Sequence, residues 1–170
     1  LMSKATLLIR LHSLSQCEWQ SDDGLDGEGS IEAVSVLSSN REVTLALPAL
    51  WFNYFEIDVP AKSARKALQI LPYALEDQLS EDPDWYYFSL RFFHKGRAGV
   101  WVVSKKLIHE LNEMLRNHRI IVKHIVPESV LLPNTPEGLT IVLLKDYALV
   151  HHPSMPQMIL PVVALNYYLQ

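Results

Sequence analysis

Five acidic residues near the middle of the 170-residue chain form its most concentrated group of side chains that could do chemistry: Glu76, Asp77, Glu81, Asp82 and Asp84. Carboxylates can act as general acids and bases, or their oxygens can bind Mg²⁺. Neighbouring residues on a helix point about 100° apart, so Glu76 and Asp77 would not face one ligand. Acidic residues at a helix C-terminus oppose the helix dipole, which a basic partner surface would relieve. We therefore predict that these five residues bind a partner protein, with a solvated helix end as the alternative.

The other candidates for catalysis or metal binding do not form a known motif. The chain has no G-x-x-x-x-G-K-[ST] or G-x-G-x-x-G phosphate loop, no G-x-S-x-G elbow and no H-E-x-x-H pair. His151 and His152 are adjacent, so we expect their side chains to diverge in a solvated loop. Cys17 is the only cysteine, which excludes an internal disulfide and fits a reducing compartment. We predict no catalytic residue, no metal and no cofactor, and therefore no enzyme.

Composition and charge restrict the class of protein. The chain is 49% hydrophobic and 20% charged, which is typical of a folded protein. Its net charge of −4 gives no general attraction to nucleic acid or anionic lipid. No uncharged apolar run approaches the roughly 20 residues that span a bilayer. Leu1 precedes Met2 and resembles a cloning remnant, so we expect an excised piece of a longer protein.

The acidic residues follow the clearest amphipathic helix in the sequence, predicted over residues 61–79. Apolar residues recur there at spacings of three and four, which indicates one buried face: Ala64, Leu68, Leu71, Leu75 and Leu79. Ser63 is a candidate N-cap. Pro72 removes a backbone donor, so we expect a kink or two segments meeting near Leu71. Pro83 limits the C-terminal end.

The remaining chain reads mainly as strands. We predict strands at 6–11, 16–20, 42–47, 51–59, 85–93, 98–103, 120–126, 139–144 and 147–151. A second helix is predicted at 105–117, loops at 21–30 and 152–156, a short connector at 127–132, and a terminal helix at 161–169. Residues 31–37 fit either a strand or a short helix.

This order of elements favours an α/β fold, with mixed α+β sheets covered by helices. We place a boundary near Asp82-Pro83-Asp84, between a first subdomain (2–82) and a second (83–170). All four tryptophans fall in predicted strands, where core packing is the expected role.

The helix and its flanks resemble a known family. Residues 71–79 read LPYALEDQL, followed by Asp82 and the aromatic segment from Trp85. This string is similar to L-P-[YF]-x-L-E-D-x-L in the cytoplasmic domain of type II secretion system protein L. Val59-Pro60 before the helix and the segment from Val126 to Pro133 agree with the family pattern. The similarity extends from about Val43 to Pro133.

The resemblance implies a fold and a function. The family's cytoplasmic domain resembles the actin-like ATPase (ribonuclease H-like) fold, here with the nucleotide site absent. It is a non-catalytic scaffold of the inner-membrane platform that recruits the secretion ATPase, protein E, and it associates with protein M and with itself. The chain would lie at the cytoplasmic face of the bacterial inner membrane, attached through a transmembrane helix outside these residues, with no nucleic-acid partner.

The first predicted hairpin bears on nucleotide binding. Actin-like proteins that bind nucleotide have a D-x-G phosphate loop in their first hairpin. In this chain the corresponding residues, 12–15, read HSLS. This turn offers no aspartate for Mg²⁺ and no glycine for close approach of the backbone to phosphate. Two alternatives remain open: a degenerate actin-like nucleotide-binding protein, and an actin-like adaptor of a related type IV pilus system.

Overall fold

The computed structural model describes residues 4–133, 138–152 and 155–165, with the backbone alone for 155–157. The strands are β1 Thr6–Leu11, β2 Gln16–Ser21, β3 Asp26–Ser30, β4 Glu42–Leu47, β5 Phe52–Asp58, β6 Tyr86–His94, β7 Arg97–Ser104, β8 Val122–Pro127, β9 Thr140–Leu143, β10 Tyr147–His152 and β11 Met155–Pro161. The α-helices are α1 Ile31–Ser38, α2 Ala64–Leu75 and α3 Lys105–Asn117. Short 3₁₀ helices span Ala49–Trp51, Glu76–Gln78, Pro83–Trp85, Glu128–Leu131 and Val162–Ala164.

A five-stranded sheet in the order β3-β2-β1-β4-β8 forms the base of the fold. β1, β2 and β3 are antiparallel neighbours, whereas β1, β4 and β8 run parallel. The buried face of this sheet packs on α1 and α3, and its core is built from alternate strand residues such as Leu7, Ile9 and Leu11. The predicted mixed sheets covered by helices are confirmed.

The predicted loop at 21–30 is wrong in its second half, because β3 occupies Asp26–Ser30. This strand has no apolar side chain, so periodicity could not reveal it. Its glycines make room for a neighbour: a Cβ on Gly27 would lie 2.8 Å from the ring of Trp19 on β2. The ambiguous segment that follows is the helix α1, whose Ala33 amide donates to the N-cap hydroxyl of Ser30.

A second sheet is inserted between β4 and α3. Its order is β5-β7-β6, and α2 covers one of its faces. The predicted N-cap is confirmed, since the Ser63 hydroxyl accepts from the Lys66 amide at 3.3 Å. The helix is not divided at Leu71; it continues through Pro72, and it ends at Leu75, well before Pro83.

The buried stripe of α2 is rotated from the predicted one. Ala67, Leu71 and Leu75 are fully buried, whereas Ala64 lies in the exposed first turn. Leu68 is 40% exposed because it points about 100° away from its neighbour Ala67. The sheet therefore contacts residues spaced by four, and the predicted burial of Ala64 and Leu68 is wrong.

A third sheet has the order β11-β10-β9. The predicted hairpin across Lys145-Asp146 is confirmed as β9 and β10. β11 was not expected, because a loop was predicted at 152–156 and a helix from 161. Its sequence contains Pro156 and Pro161, which argue against a central strand but are tolerated in an edge strand such as this. Of the predicted terminal helix, Val162–Ala164 is a 3₁₀ helix and residues 166–170 lie outside the described ranges.

The predicted boundary near Asp82-Pro83-Asp84 stays a prediction. The β5-β7-β6 sheet contains strands from both sides of it, and its core cluster joins α2 to β6 and β7. Within the described part of the chain, no helix is long and apolar enough to cross a membrane.

Replacing Leu75 with alanine should lower the free energy of unfolding by about 2–5 kcal/mol, because the side chain is 0% exposed and a cavity would remain. Leu68→Ala is the matched control on the same helix and should change stability by less than about 1 kcal/mol. Urea denaturation followed by circular dichroism measures both. Equal losses would contradict the observed rotation of the stripe.

Candidate functional site

The predicted partner-binding residues lie in the connector between α2 and β6. Glu76 and Asp77 belong to the 3₁₀ helix that continues α2, and Glu81, Asp82 and Asp84 follow it. All five are exposed. The carboxylate of Asp82 accepts from the Asp84 amide at 2.8 Å, which caps the turn Pro83–Trp85. The five residues therefore form a charged surface segment, and their role in partner binding stays a prediction.

These carboxylates do not converge on a metal. Among the residues that the structure describes, no group of three or more His, Cys, Asp or Glu side chains could hold a metal ion. His151 and His152 lie in β10 and are partly buried, so the predicted solvated loop is wrong at this point. Their strand pairs on both sides, with β9 and with β11.

Two exposed aromatic side chains flank the acidic segment. Tyr73 on α2 is 79% exposed and Trp85 is 60% exposed. Trp85 was predicted to pack in a strand, but the capped turn delays the start of β6 to Tyr86, which takes the buried position. Sequence reasoning missed both residues as surface features. The available signal was the place of Tyr73 outside the apolar stripe of the helix.

A second arrangement lies at the carboxyl edge of the five-stranded sheet, where open α/β sheets bind their ligands. Arg10 is near the end of β1, Ala49 follows β4, and Glu128 follows β8. Glu128 is only 3% exposed. Its carboxylate accepts from Arg10 Nε at 2.6 Å, from the Ala49 amide at 2.7 Å and from the hydroxyl of Tyr147 on β10.

Arg10 and Tyr147 remain protonated in this network. Burial alone would lower the pKa of Arg10, but hydrogen bonds to Glu128 and Glu18 and their charges raise it above its ordinary value. Burial, together with the hydrogen bond to Glu128, raises the pKa of Tyr147. The guanidinium therefore stays charged and the phenol stays a donor, so that both oxygens of the buried carboxylate keep partners.

A cleft of about 730 Å³ opens beside the network, between the first hairpin and the β9–β10 hairpin. His12 and Ser13, from the turn at residues 12–15, line it. The Ser13 hydroxyl accepts from the amides of Ser15 at 3.2 Å and Gln16 at 3.1 Å. The backbone amides of Ser15 and Gln16 are thus hydrogen-bonded within the turn. That no nucleotide binds here stays a prediction.

Sequence reasoning did not identify the Arg10–Glu128–Tyr147 network. Two signals were present: Arg10 interrupts an apolar strand, and Glu128 follows a proline in the segment that agreed with the family pattern. Neither residue indicates its partner, because Arg10 and Glu128 are 118 positions apart in the sequence and Tyr147 lies on a strand of another sheet.

A model of the family described as type II secretion system (T2SS), protein L, matches residues 13–169. The chain belongs to this family. Its relatives include protein L of Pectobacterium carotovorum subsp. carotovorum, 27% identical over 144 residues, and that of Klebsiella pneumoniae, 26% identical over 145 residues. These alignments cover 78% and 80% of the chain, but 34% and 36% of the relatives. The chain spans about a third of the length of the curated relatives it matches.

Solved structures confirm the predicted fold class. The cytoplasmic domain of EpsL, an inner-membrane component of the T2SS of Vibrio cholerae, aligns with a TM-score of 0.84 at 20% identity, over 96% of this chain and 74% of that one. The PilM–PilN type IV pilus biogenesis complex aligns with a TM-score of 0.61 at 12% identity, over 97% of this chain and 66% of that one. The resemblance inferred from residues 71–79 is confirmed, and the fold is actin-like.

Replacing Tyr147 with phenylalanine should lower the free energy of unfolding at pH 7 by about 1.5–3 kcal/mol, because a buried carboxylate loses a donor. The raised pKa of Tyr147 stabilises the fold below the unfolded pKa of about 10, and this contribution is lost as pH rises above it. The difference between wild type and Tyr147→Phe should therefore shrink above pH 10.

Urea denaturation from pH 7 to pH 11 measures this difference. Tyr73→Phe is the control, since Tyr73 is exposed and its removal should cost less than about 0.5 kcal/mol at pH 7. A Tyr147→Phe variant as stable as wild type at pH 7 would contradict the described role of the hydroxyl.

Proposed function

We propose that this chain is a non-catalytic scaffold of the T2SS inner-membrane platform and recruits the cytoplasmic secretion ATPase, protein E, for protein export across the outer membrane. The observation that carries the proposal is the family match over residues 13–169, together with the fold shared with the EpsL cytoplasmic domain. The chain would lie at the cytoplasmic face of the inner membrane, within a protein that also binds protein M and a second copy of itself.

The acidic connector supports a docking role. None of Glu76, Asp77, Glu81, Asp82 or Asp84 forms an ion pair within 4 Å among the residues described. Unpaired exposed charges are available to a basic partner and steer its approach. Tyr73 and Trp85 add exposed aromatic area of the kind that dominates binding energy in interfaces. We propose that a basic, partly apolar surface of the ATPase docks here.

The carboxyl edge of the sheet supports the absence of catalysis. The side chains that converge there satisfy one another: Arg10 is paired with Glu18 and Glu128, and Glu128 has three donors. A catalytic carboxylate would need a free oxygen directed at a substrate. The network is instead a closed arrangement with a structural role.

Two other functions have some support. The 0.61 TM-score to the PilM–PilN complex is compatible with an adaptor of a pilus system, although the agreement with the EpsL domain is better. The cleft beside residues 12–15 is the place where a degenerate nucleotide site would lie. The family match favours the secretion scaffold over both.

Reversing the charges of Glu76 and Asp77 together, each to lysine, should weaken binding of the ATPase N-terminal domain at least tenfold, because the basic partner surface would meet positive charge. The measurement is calorimetry or a pull-down with that domain at micromolar concentration. The melting temperature should stay within a few degrees of wild type, since both residues are exposed.

The matched control is the double reversal of Asp26 and Glu28 on β3, which are also exposed and lie on another sheet. It makes the same change in net charge and should leave binding unchanged. Absence of binding by the wild-type chain would reject the proposed recruitment. A collapse of the melting temperature in the Glu76 and Asp77 variant would show a structural role for these residues.

Calorimetry with Mg-ATP should give no binding heat at up to millimolar nucleotide, since the turn has no aspartate or glycine and its Ser15 and Gln16 amides are already hydrogen-bonded. A saturable heat that disappears with Ser13→Glu, which adds a charge opposing phosphate, would favour the degenerate nucleotide site. It would contradict the proposed role of this edge.

A further inference from the structure

The face of the β5-β7-β6 sheet opposite α2 is covered at one side and open at the other. Trp101 on β7 is 7% exposed and contacts the rings of Phe52 and Tyr54 on β5. Toward β6 the face is exposed, and Tyr87 is 51% exposed. We call this open part the β6 face, which comprises Tyr87, Ser89, Arg91, Phe92 and Lys105.

Two cations of the β6 face lie on aromatic rings. The guanidinium carbon of Arg91 is 5.6 Å from the ring centroid of Tyr54, and Lys105 Nζ is 5.4 Å from that of Tyr87. The platform is fixed by packing, since the Phe92 ring and the Tyr54 hydroxyl occupy the space that a Cβ on Gly99 would need. Such stacking holds each cation near one position and lowers the entropy lost when an anion binds.

Neither of these cations belongs to an ion pair in the part of the chain that the structure describes. Neither Arg91 nor Lys105 has a carboxylate within 4 Å among the described side chains, whereas Arg97 on the same sheet pairs with Glu56 at 2.7 Å. The β6 face therefore has two positive charges outside any described ion pair, on a chain whose net charge is −4, and the Glu56 carboxylate nearby is occupied by Arg97 and the Tyr54 hydroxyl. An acidic partner is the complementary one.

The backbone of β6 adds a second requirement on the partner. β6 is an edge strand of nine residues, and among the strands that the structure describes its one partner is β7. The outer side of such a strand presents unpaired amides and carbonyls, which an added strand can use. Tyr87 and Arg91 are four positions apart in β6, with a bulge between Leu90 and Phe92, so an added strand with several carboxylates on one face would place acidic groups beside both cations.

We infer that the β6 face binds an extended acidic segment of a partner protein, which adds a strand to β6 and places carboxylates on Arg91 and Lys105. The inference is independent of ATPase recruitment through the acidic connector, because it concerns a surface of opposite charge and requires a partner of opposite charge.

The test uses the 170-residue chain and a fluorescently labelled twelve-residue peptide of alternating threonine and glutamate. Fluorescence anisotropy should show saturable binding that weakens with added salt. A peptide with lysine in place of glutamate should bind at least tenfold more weakly. An acidic peptide with N-methyl groups on alternate amides should also lose at least tenfold, because it cannot complete the strand pairing.

Variants locate the site. Arg91→Glu with Lys105→Glu should weaken binding of the acidic peptide at least tenfold. Lys62→Glu with Lys66→Glu makes the same charge change at exposed positions beside and on α2, and should have a much smaller effect. If the first variant loses its native circular dichroism, Arg91→Gln with Lys105→Gln replaces it and should still weaken binding. Hydrogen exchange should slow at β6 amides when the peptide is bound.

Several results would overturn the inference. They are absence of binding, equal binding of the two charge types or of the N-methylated peptide, equal loss in the two charge-reversal variants, and protection of amides away from β6. Dimerisation through β6 that excludes the peptide would make a second copy the occupant. Binding to vesicles of anionic lipid without binding to the peptide would make it a membrane surface.

Discussion

The buried carboxylate of Glu128 is the interaction on which the arrangement of the first and third sheets depends. It accepts from Arg10 on β1, from the backbone after β4 and from Tyr147 on β10, so that one side chain joins three segments distant in sequence. A buried charge left without partners costs about 3–5 kcal/mol. These elements must therefore close together, and they do so at the sheet edge where an actin-like fold would have space for a ligand.

The Glu128 hydrogen bonds described above do not involve the strands of the inserted β5-β7-β6 sheet. It has its own core around Leu71, Leu75 and Val100, separate from the cluster that α1 and α3 form on the five-stranded sheet. Phe52 packs against the larger cluster and contacts Trp101 on the inserted sheet, which joins the two. Because the base is held by its own network and core, the insertion is free to present two surfaces of opposite charge, the acidic connector and the β6 face.

The sequence predicted those parts of the fold that depend on local patterns. Compact apolar runs predicted β1 and β7, alternation of polar and apolar residues predicted β4, and Ser63 marked the start of α2. β3 and β11 were not predicted, because their glycines and prolines hide the apolar pattern of a strand. Each forms through its hydrogen bonds to the neighbouring strand. The Glu128 network was not predicted, because its residues come from separate segments of the sequence that only the fold brings together. The acidic residues were correctly predicted to lie on the surface, but their spacing in the sequence does not identify a partner.

The sequence string at residues 71–79 contains both buried apolar residues and exposed acidic residues. Leu71 and Leu75 are fully buried against the inserted sheet, and any residue there must be apolar for the subdomain to fold. Glu76 and Asp77 are exposed and contribute nothing to that core. The exposed part of the string, Tyr73 and the two acidic residues, lies outside that core, so the binding role proposed for it is separate from the structural role of the leucines.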